Sequence, residues 1–176
     1  RGGWNMVTGG AGAHVSRLPL LVLPGDGCAN RIPGPVLQQM EDFGGGTVSA
    51  NDAFRSVSRY FDRITRPEQI IPAFNRAMTV LTDPAECGPV TLSLCQDVQA
   101  EAFDYPESFF AERIHRIRRP APDERELEDV AALIRKSHKP MVIAGGGVLY
   151  SGAEQALAEF CNRHGVPSGE TQAGKS

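Results

Sequence analysis

Residues 18–43 read LPLLVLPGDGCANRIPGPVLQQMEDF, and the fold turns on the first six. That run is almost wholly apolar and is bounded by Arg17 and Gly25. Such a run suits a strand of a parallel sheet, covered on both faces. The chain then turns through glycine, proline and asparagine and resumes as a short helical run over 35–43. In open α/β sheets ligands collect beyond the carboxyl ends of the strands. Functional residues are therefore expected just after Leu23.

Upstream, residues 5–15 read as a helix rich in small residues, which implies close packing on a neighbour. Arg1-Gly2-Gly3-Trp4 reads as the loop leading into it. Glycines there could bring backbone N–H groups to a ligand, or form a plain turn. Downstream, the glycines at 44–46 and the polar run to Asp52 read as a flexible loop. Residues 53–61 are amphipathic and of open type. Pro67 suits a first helical position. Ile70, Ile71, Phe74, Ala77, Met78 and Leu81 then recur at helical spacing and make one apolar face. Asp83-Pro84 ends that helix, and Gly88-Pro89 turns the chain into a strand over 90–94.

Residues 96–122 change character, with acidic residues, then RIHRIRR, then Pro120 and Pro122. They read as a linker crossing a domain boundary, its arginines a solvated or domain-bridging face. From Asp123, a plausible N-cap with Glu126 as capping-box partner, helical spacing returns at Leu127, Val130, Ala131 and Ile134. A short strand over 141–144, three glycines, a helix over about 153–163 and a strand near Val166 follow. The expected organisation is α/β throughout: a first partial domain over 1–100, a linker over 101–122 and a second partial domain over 123–176.

The totals exclude several classes. The 176 residues are 41% hydrophobic and 22% charged, with net charge −3, an ordinary globular composition that argues against a polyanion binder. No apolar run approaches the length of a membrane span. The chain opens without a signal peptide and without Met, so the expectations are a cytoplasmic protein and a chain that starts downstream of its gene's start. Cys28, Cys87, Cys95 and Cys161 form no CxxC pair and read as free thiols. The four histidines show no ligand spacing.

Two glycine motifs carry possible chemistry. Ala144-Gly145-Gly146-Gly147-Val148 follows a strand and precedes a helix, the position for cradling a dinucleotide diphosphate. The full GxGxxG spacing is absent, and close packing is the competing reading. Gly25-Asp26-Gly27, with Asn51 about two dozen residues on, imitates a diphosphate-Mg²⁺ motif in which hard oxygen ligands hold an octahedral ion. The competing reading is a loop with a helix-start Asp.

Taken in order, NMVTG, LPLLVLPGD, GPVTLSLCQDVQAE, KPMVIAGGGV and HGVPSGETQAGK resemble the acetolactate-synthase-like superfamily of thiamine diphosphate (ThDP) enzymes. They follow the second half of a pyrimidine-binding domain and the first half of a Rossmann-like central domain. VLQQMEDFGGGTVSANDAFRSVSRYFDRITRPEQIIPAF and FDYPESFFAERIHRIRRP look closest to the trihydroxycyclohexanedione hydrolase family of myo-inositol catabolism. The resemblance covers essentially the whole chain. It implies a parent enzyme that adds water across a C–C bond of a cyclic 1,2-dione to give 5-deoxyglucuronate, with ThDP storing the electrons released.

The resemblance further implies that the Mg²⁺ motif and the glutamate that activates the pyrimidine lie outside this chain, so Gly25-Asp26-Gly27 is not the metal motif. Asn5 and Gly2 match a PGATN-like loop beside the pyrimidine ring, with Gly3 in the same loop. Arg1 and Trp4 replace its proline and threonine. Gln38 matches a glutamine that approaches the aminopyrimidine and substrate; its amide both donates and accepts, which suits a ring that changes tautomer. No catalytic or metal-binding residue is expected within the chain, and FAD is not expected. The implied parent is a cytoplasmic homo-oligomer acting on a small cyclic dione, without nucleic-acid or membrane partners. The 176 residues alone are expected to be inactive. The alternatives are an acetolactate-synthase-like lyase and a non-catalytic nucleotide-binding module.

Overall fold

The protein is represented by a computed structural model that describes residues 2–30, 45 and 47–175. It divides into two compact units, Arg1–Ile117 and Arg118–Ser176.

The first unit opens with α1, Gly2–Val15. The helix runs back through Gly2, Gly3 and Trp4, so the loop expected there is corrected. Glycine in a helix costs only about 1 kcal/mol relative to alanine, and nothing in Gly2-Gly3-Trp4 removes a backbone donor. The small residues do serve close approach. A Cβ on the buried Gly10 would sit 3.2 Å from Val57 Cγ2, and His14 Nδ1 lies 3.1 Å from the Val57 carbonyl.

β1, Leu20–Val22, and β2, Gly25–Asp26, both run parallel to β4, Pro89–Cys95, in one continuous register. Pro24 interrupts them because it has no N–H, yet its carbonyl accepts from Leu94 N at 2.9 Å. On the opposite side of β4 lies β3, Tyr60–Ile64, also parallel. The apolar run at 18–23 is thus a strand of a parallel sheet, as expected, but its burial on both faces is corrected: Leu21 is 36% and Leu23 53% exposed. Among the described residues β1 pairs with β4 alone, so its composition reads as that of an inner strand while its position here is an edge.

β4 is the buried centre, and its alternating sequence shows why. Val90 and Leu92 belong to an apolar core with Ile64, Ala73 and Ala77. Thr91 and Ser93, at intervening positions and equally buried, point to the opposite face. Pro67–Gln69 forms a 3-10 turn leading into α2, Ile70–Leu81, whose Ala73 and Ala77 are buried, as the helical spacing requires. Phe74 of α2 meets Phe109 edge-on at 6.3 Å. Part of the stretch read as linker is therefore held in the first unit. Val98 is buried there, and Tyr105 donates to the Pro67 carbonyl at 3.2 Å.

The second unit comprises α3, Glu124–Lys136, β5, Val142–Ala144, α4, Gly146–Ser151, α5, Glu154–His164, and β6, Ser168–Glu170. Asp123 caps α3 as expected, accepting from Arg125 N and Glu126 N. β5 and β6 pair in parallel. α4 and α5 each end at a left-handed glycine, Gly152 (φ 65°) and Gly165 (φ 63°), a position where a Cβ would be strained.

Candidate functional site

The carboxyl ends of β2, β3 and β4 converge on one side chain, Arg63. Its Nε donates to Asp26 Oδ2 at 2.8 Å, one terminal nitrogen to the Thr47 carbonyl at 3.0 Å, and the other to Ser49 Oγ and Asp52 Oδ2 at 2.9 Å. A planar guanidinium presents five donors in a fixed fork, which suits it to joining several oxygens at once. Ser93 Oγ donates to the same Asp26 oxygen, and Gly27 N to its other oxygen at 2.8 Å. Asn51 completes the set: its amide donates to the Gly25 carbonyl at 2.9 Å and to Ser93 Oγ at 2.8 Å.

Local sequence explains the shape of this turn. Ser49 and Asp52 form a capping box at the head of a 3-10 helix, Ala50–Ser56, in place of the flexible loop expected up to Asp52. The buried Phe54 anchors that helix. Arg63 was not singled out by sequence reasoning because the type of 53–61 stayed open. Tyr60-Phe61-Asp62-Arg63-Ile64 carries no regular alternation that would have marked the strand whose carboxyl end holds Arg63.

The charges are mutually satisfied. Burial pushes the Asp26 carboxyl up, but hydrogen bonds from Ser93, Ser49, Arg63 and the Gly27 N–H outweigh it and hold the group below its ordinary range. Burial likewise opposes ionisation of Asp52, yet Arg55, the Ser49 N–H and Arg63 bring it down to about 2. The guanidinium of Arg63 is correspondingly raised, against burial, by Asp26 and Asp52. Cys95, which ends β4, is pushed up to about 11 by burial, then by Asp26 and Asp97. It is no nucleophile near neutrality.

Gly25-Asp26-Gly27 and Asn51 are therefore brought together, as their spacing suggested, but around a guanidinium. A carboxylate already engaged by Arg63, Ser93 and Gly27 has little left for Mg²⁺, and the described residues contain no group of three or more His, Cys, Asp or Glu side chains able to hold a metal.

The residues matched to the cofactor loop are placed differently. Asn5 lies exposed in the early turns of α1. Gly2 opens that helix, and a Cβ on Gly3 would meet nothing within 4 Å, so nothing there demands glycine at Gly3. Gln38 lies outside the described residues. The amide of Asn5 is chemically suited to the edge of an aminopyrimidine. No reaction step is assigned to them.

The triple glycine also resolves. Gly145 is the N-cap of α4. A Cβ on Gly174 would lie 2.5 Å from the Ala144 carbonyl oxygen. It is Gly174 that lets its backbone approach that of 144–145, whereas a Cβ on Gly145 would lie 3.9 Å from Thr171 Oγ1 and one on Gly147 would meet nothing within 4 Å.

Comparison with known proteins agrees with this architecture. Residues 127–176 match the family model described as thiamine pyrophosphate enzyme, central domain. The chain is 50% identical over 175 residues to 3D-(3,5/4)-trihydroxycyclohexane-1,2-dione hydrolase of Clostridium tetani, which covers 99% of this chain and 27% of that protein. It is 52% identical over 174 residues to the protein of the same name from Geobacillus thermodenitrificans, with the same coverage. The chain thus spans about a quarter of the length of these relatives. Among solved structures, a Mycobacterium smegmatis protein described as a thiamin diphosphate-dependent enzyme superposes with a TM-score of 0.64 at 23% identity, covering 94% of this chain and 30% of that one. That likeness shows the fold.

Proposed function

We propose that this chain, similar over nearly its whole length to the trihydroxycyclohexanedione hydrolases, is part of a ThDP-dependent hydrolase that opens the ring of a cyclic 1,2-dione to 5-deoxyglucuronate in inositol catabolism. One observation carries the reading: identity of 50% or more is sustained over 99% of the chain, through both units. Bound ThDP would supply the electron sink for C–C cleavage. Asn5 and Gln38 would contribute amides to its pyrimidine side, with Gly2 and Gly3 in the same turn as Asn5. Mg²⁺ would be held by residues other than those described. The working protein would be a cytoplasmic homo-oligomer with a soluble small-molecule substrate.

Turnover by the full-length protein tests this reading. With ThDP and Mg²⁺ it is expected to consume the inositol-derived dione and leave pyruvate unchanged. Turnover of pyruvate without turnover of the dione would replace the hydrolase with a lyase. The 176-residue chain alone is expected to show no steady ring opening, because Asn5, matched to the pyrimidine side, lies exposed within it.

A further inference from the structure

Among the described residues β1 lies at an edge of its sheet, yet it is built for the inside. Residues 18–23 carry no charge, and Leu21 and Leu23 stand partly open to solvent. The Pro24 carbonyl faces β4, so by the alternation of a strand the peptide groups of Leu21 and Leu23 face away from it. The opposite edge is different. β3 carries Asp62 and Arg63 at successive positions, one on each face. Both are bonded within the unit, Asp62 to Tyr60 and Gln69 at 2.9 and 3.0 Å, and Arg63 to Asp26. Charged side chains are one way natural sheets blunt a true edge, and β1 has none.

Handedness says where a further strand belongs. α2 links β3 to β4 over the face that carries Val90 and Leu92, since Ala73 and Ala77 pack with them. α1 lies over the other face. Its Gly10 and His14 meet Val57, next to Ser58, whose hydroxyl bonds that of Thr91 at 2.8 Å. Val22, the register partner of Thr91, is buried on that side. A crossover between parallel strands is right-handed in about 98% of cases. On the α2 face such a connection advances from β3 to β4, toward β1. On the α1 face the same hand advances the opposite way, toward β3. The strand that feeds α1 must then stand one step behind β1, on its open side.

We infer that the free edge of β1 is covered, in the working protein, by a parallel strand from the residues that precede Arg1 in the same polypeptide. The chain spans 27% of the length of its relatives, so most of such a polypeptide lies outside it. A second copy is the poorer occupant, because it would take the position from which α1 must arrive. The inference rests on the proposed function in taking this chain as part of a longer protein, and it deepens that reading. The turn from the added strand into α1 falls at the carboxyl edge of the sheet, where Gly25-Asp26-Gly27 lies and ligands collect. Gly2 and Asn5 are thereby brought to that edge.

The test uses the full-length protein. A photoreactive benzophenone side chain replaces Leu23, and light and heavy isotope-labelled chains are refolded together before irradiation. Hydrogen exchange on the unsubstituted protein reads the amides of residues 20–23. The expected products are cross-links from position 23 to residues preceding Arg1, with both ends light or both heavy. The Leu21 and Leu23 amides are expected to exchange at least about a hundredfold more slowly than open ones. Mixed light–heavy products would make a second copy the occupant and overturn the inference. Cross-links only to residues 31–44, or to residues beyond Ser176, would overturn it too. If the benzophenone variant fails to fold, exchange decides: open-chain rates at Leu21 and Leu23 would show an uncovered edge. Failure of the proposed function looks different, since a protein that leaves the dione unturned would still give the same-chain cross-links and the slow exchange.

Discussion

Two glycine-rich strand ends in this chain look alike on paper and differ in what reaches them. At Gly25-Asp26-Gly27, side chains from β3, β4 and the 3-10 turn close on a single carboxylate. At Gly145-Gly146-Gly147 the approach is backbone to backbone, with Gly174 against Ala144. The first is a charged network fixed by distant residues, and the second is a packing device. A short motif is silent on this difference, because the partners lie dozens of residues away.

The sharpest way to break the comparison is Arg63→Ala. Asp26, only 4% exposed at its side chain, would lose its cation, and removing one partner of such a pair costs about 3 kcal/mol. Urea unfolding followed by far-UV circular dichroism should show that loss; a change below about 1 kcal/mol would mean that Ser93 and Gly27 alone satisfy the carboxylate. Next comes Gly174→Ala. Its Cβ would fall inside contact distance of the Ala144 carbonyl, and overpacking of this kind costs about 1–3 kcal/mol. The matched control is Gly147→Ala, where a Cβ meets nothing within 4 Å. In a helix without positive φ that change should be neutral or stabilising by about 0.5 kcal/mol. If Gly147→Ala destabilised as much as Gly174→Ala, the packing account of this turn would be wrong.

Ser93→Ala should have a smaller effect than Arg63→Ala, about 1–2 kcal/mol, because Asn51 keeps Gly25 as an acceptor and Asp26 keeps Arg63. The smallest expected effect is the pH dependence. Asp52 is held near 2 in the fold against an ordinary 3.8, and Asp26 is lowered in the same direction. A depressed folded pKa gives stability that is present above the unfolded value and is lost as pH falls through the folded one. Denaturation midpoints should therefore fall between about pH 4 and pH 2, and the fall should be shallower in Arg63→Ala. An identical slope in that variant would show that Arg63 does not hold these carboxylates down.

The elements that were legible in the sequence are those defined by local pattern. The apolar spacing of 70–81 gave α2, the run at 18–23 and the stretch 90–94 after the Gly88-Pro89 turn gave strands, and Asp123 gave a capped helix. Two elements were not legible. β3 was hidden because its Tyr60-Phe61-Asp62-Arg63-Ile64 mixes apolar and charged residues on a half-covered strand. The start of α1 was hidden because glycines weaken a helix signal without forbidding the helix. For the site, spacing tied Asp26 to Asn51 correctly in space, while the agent that joins them, Arg63, came from a third segment.

By itself, then, the sequence determined the α/β class, the order of most elements and the likeness to ThDP enzymes, since these depend on periodicity and on residue identity along the chain. The tertiary structure decided which polar groups are already satisfied. That depends on which side chains from separate strands meet at one sheet edge, and a carboxylate between two glycines reads the same whether a metal or a guanidinium waits across the gap.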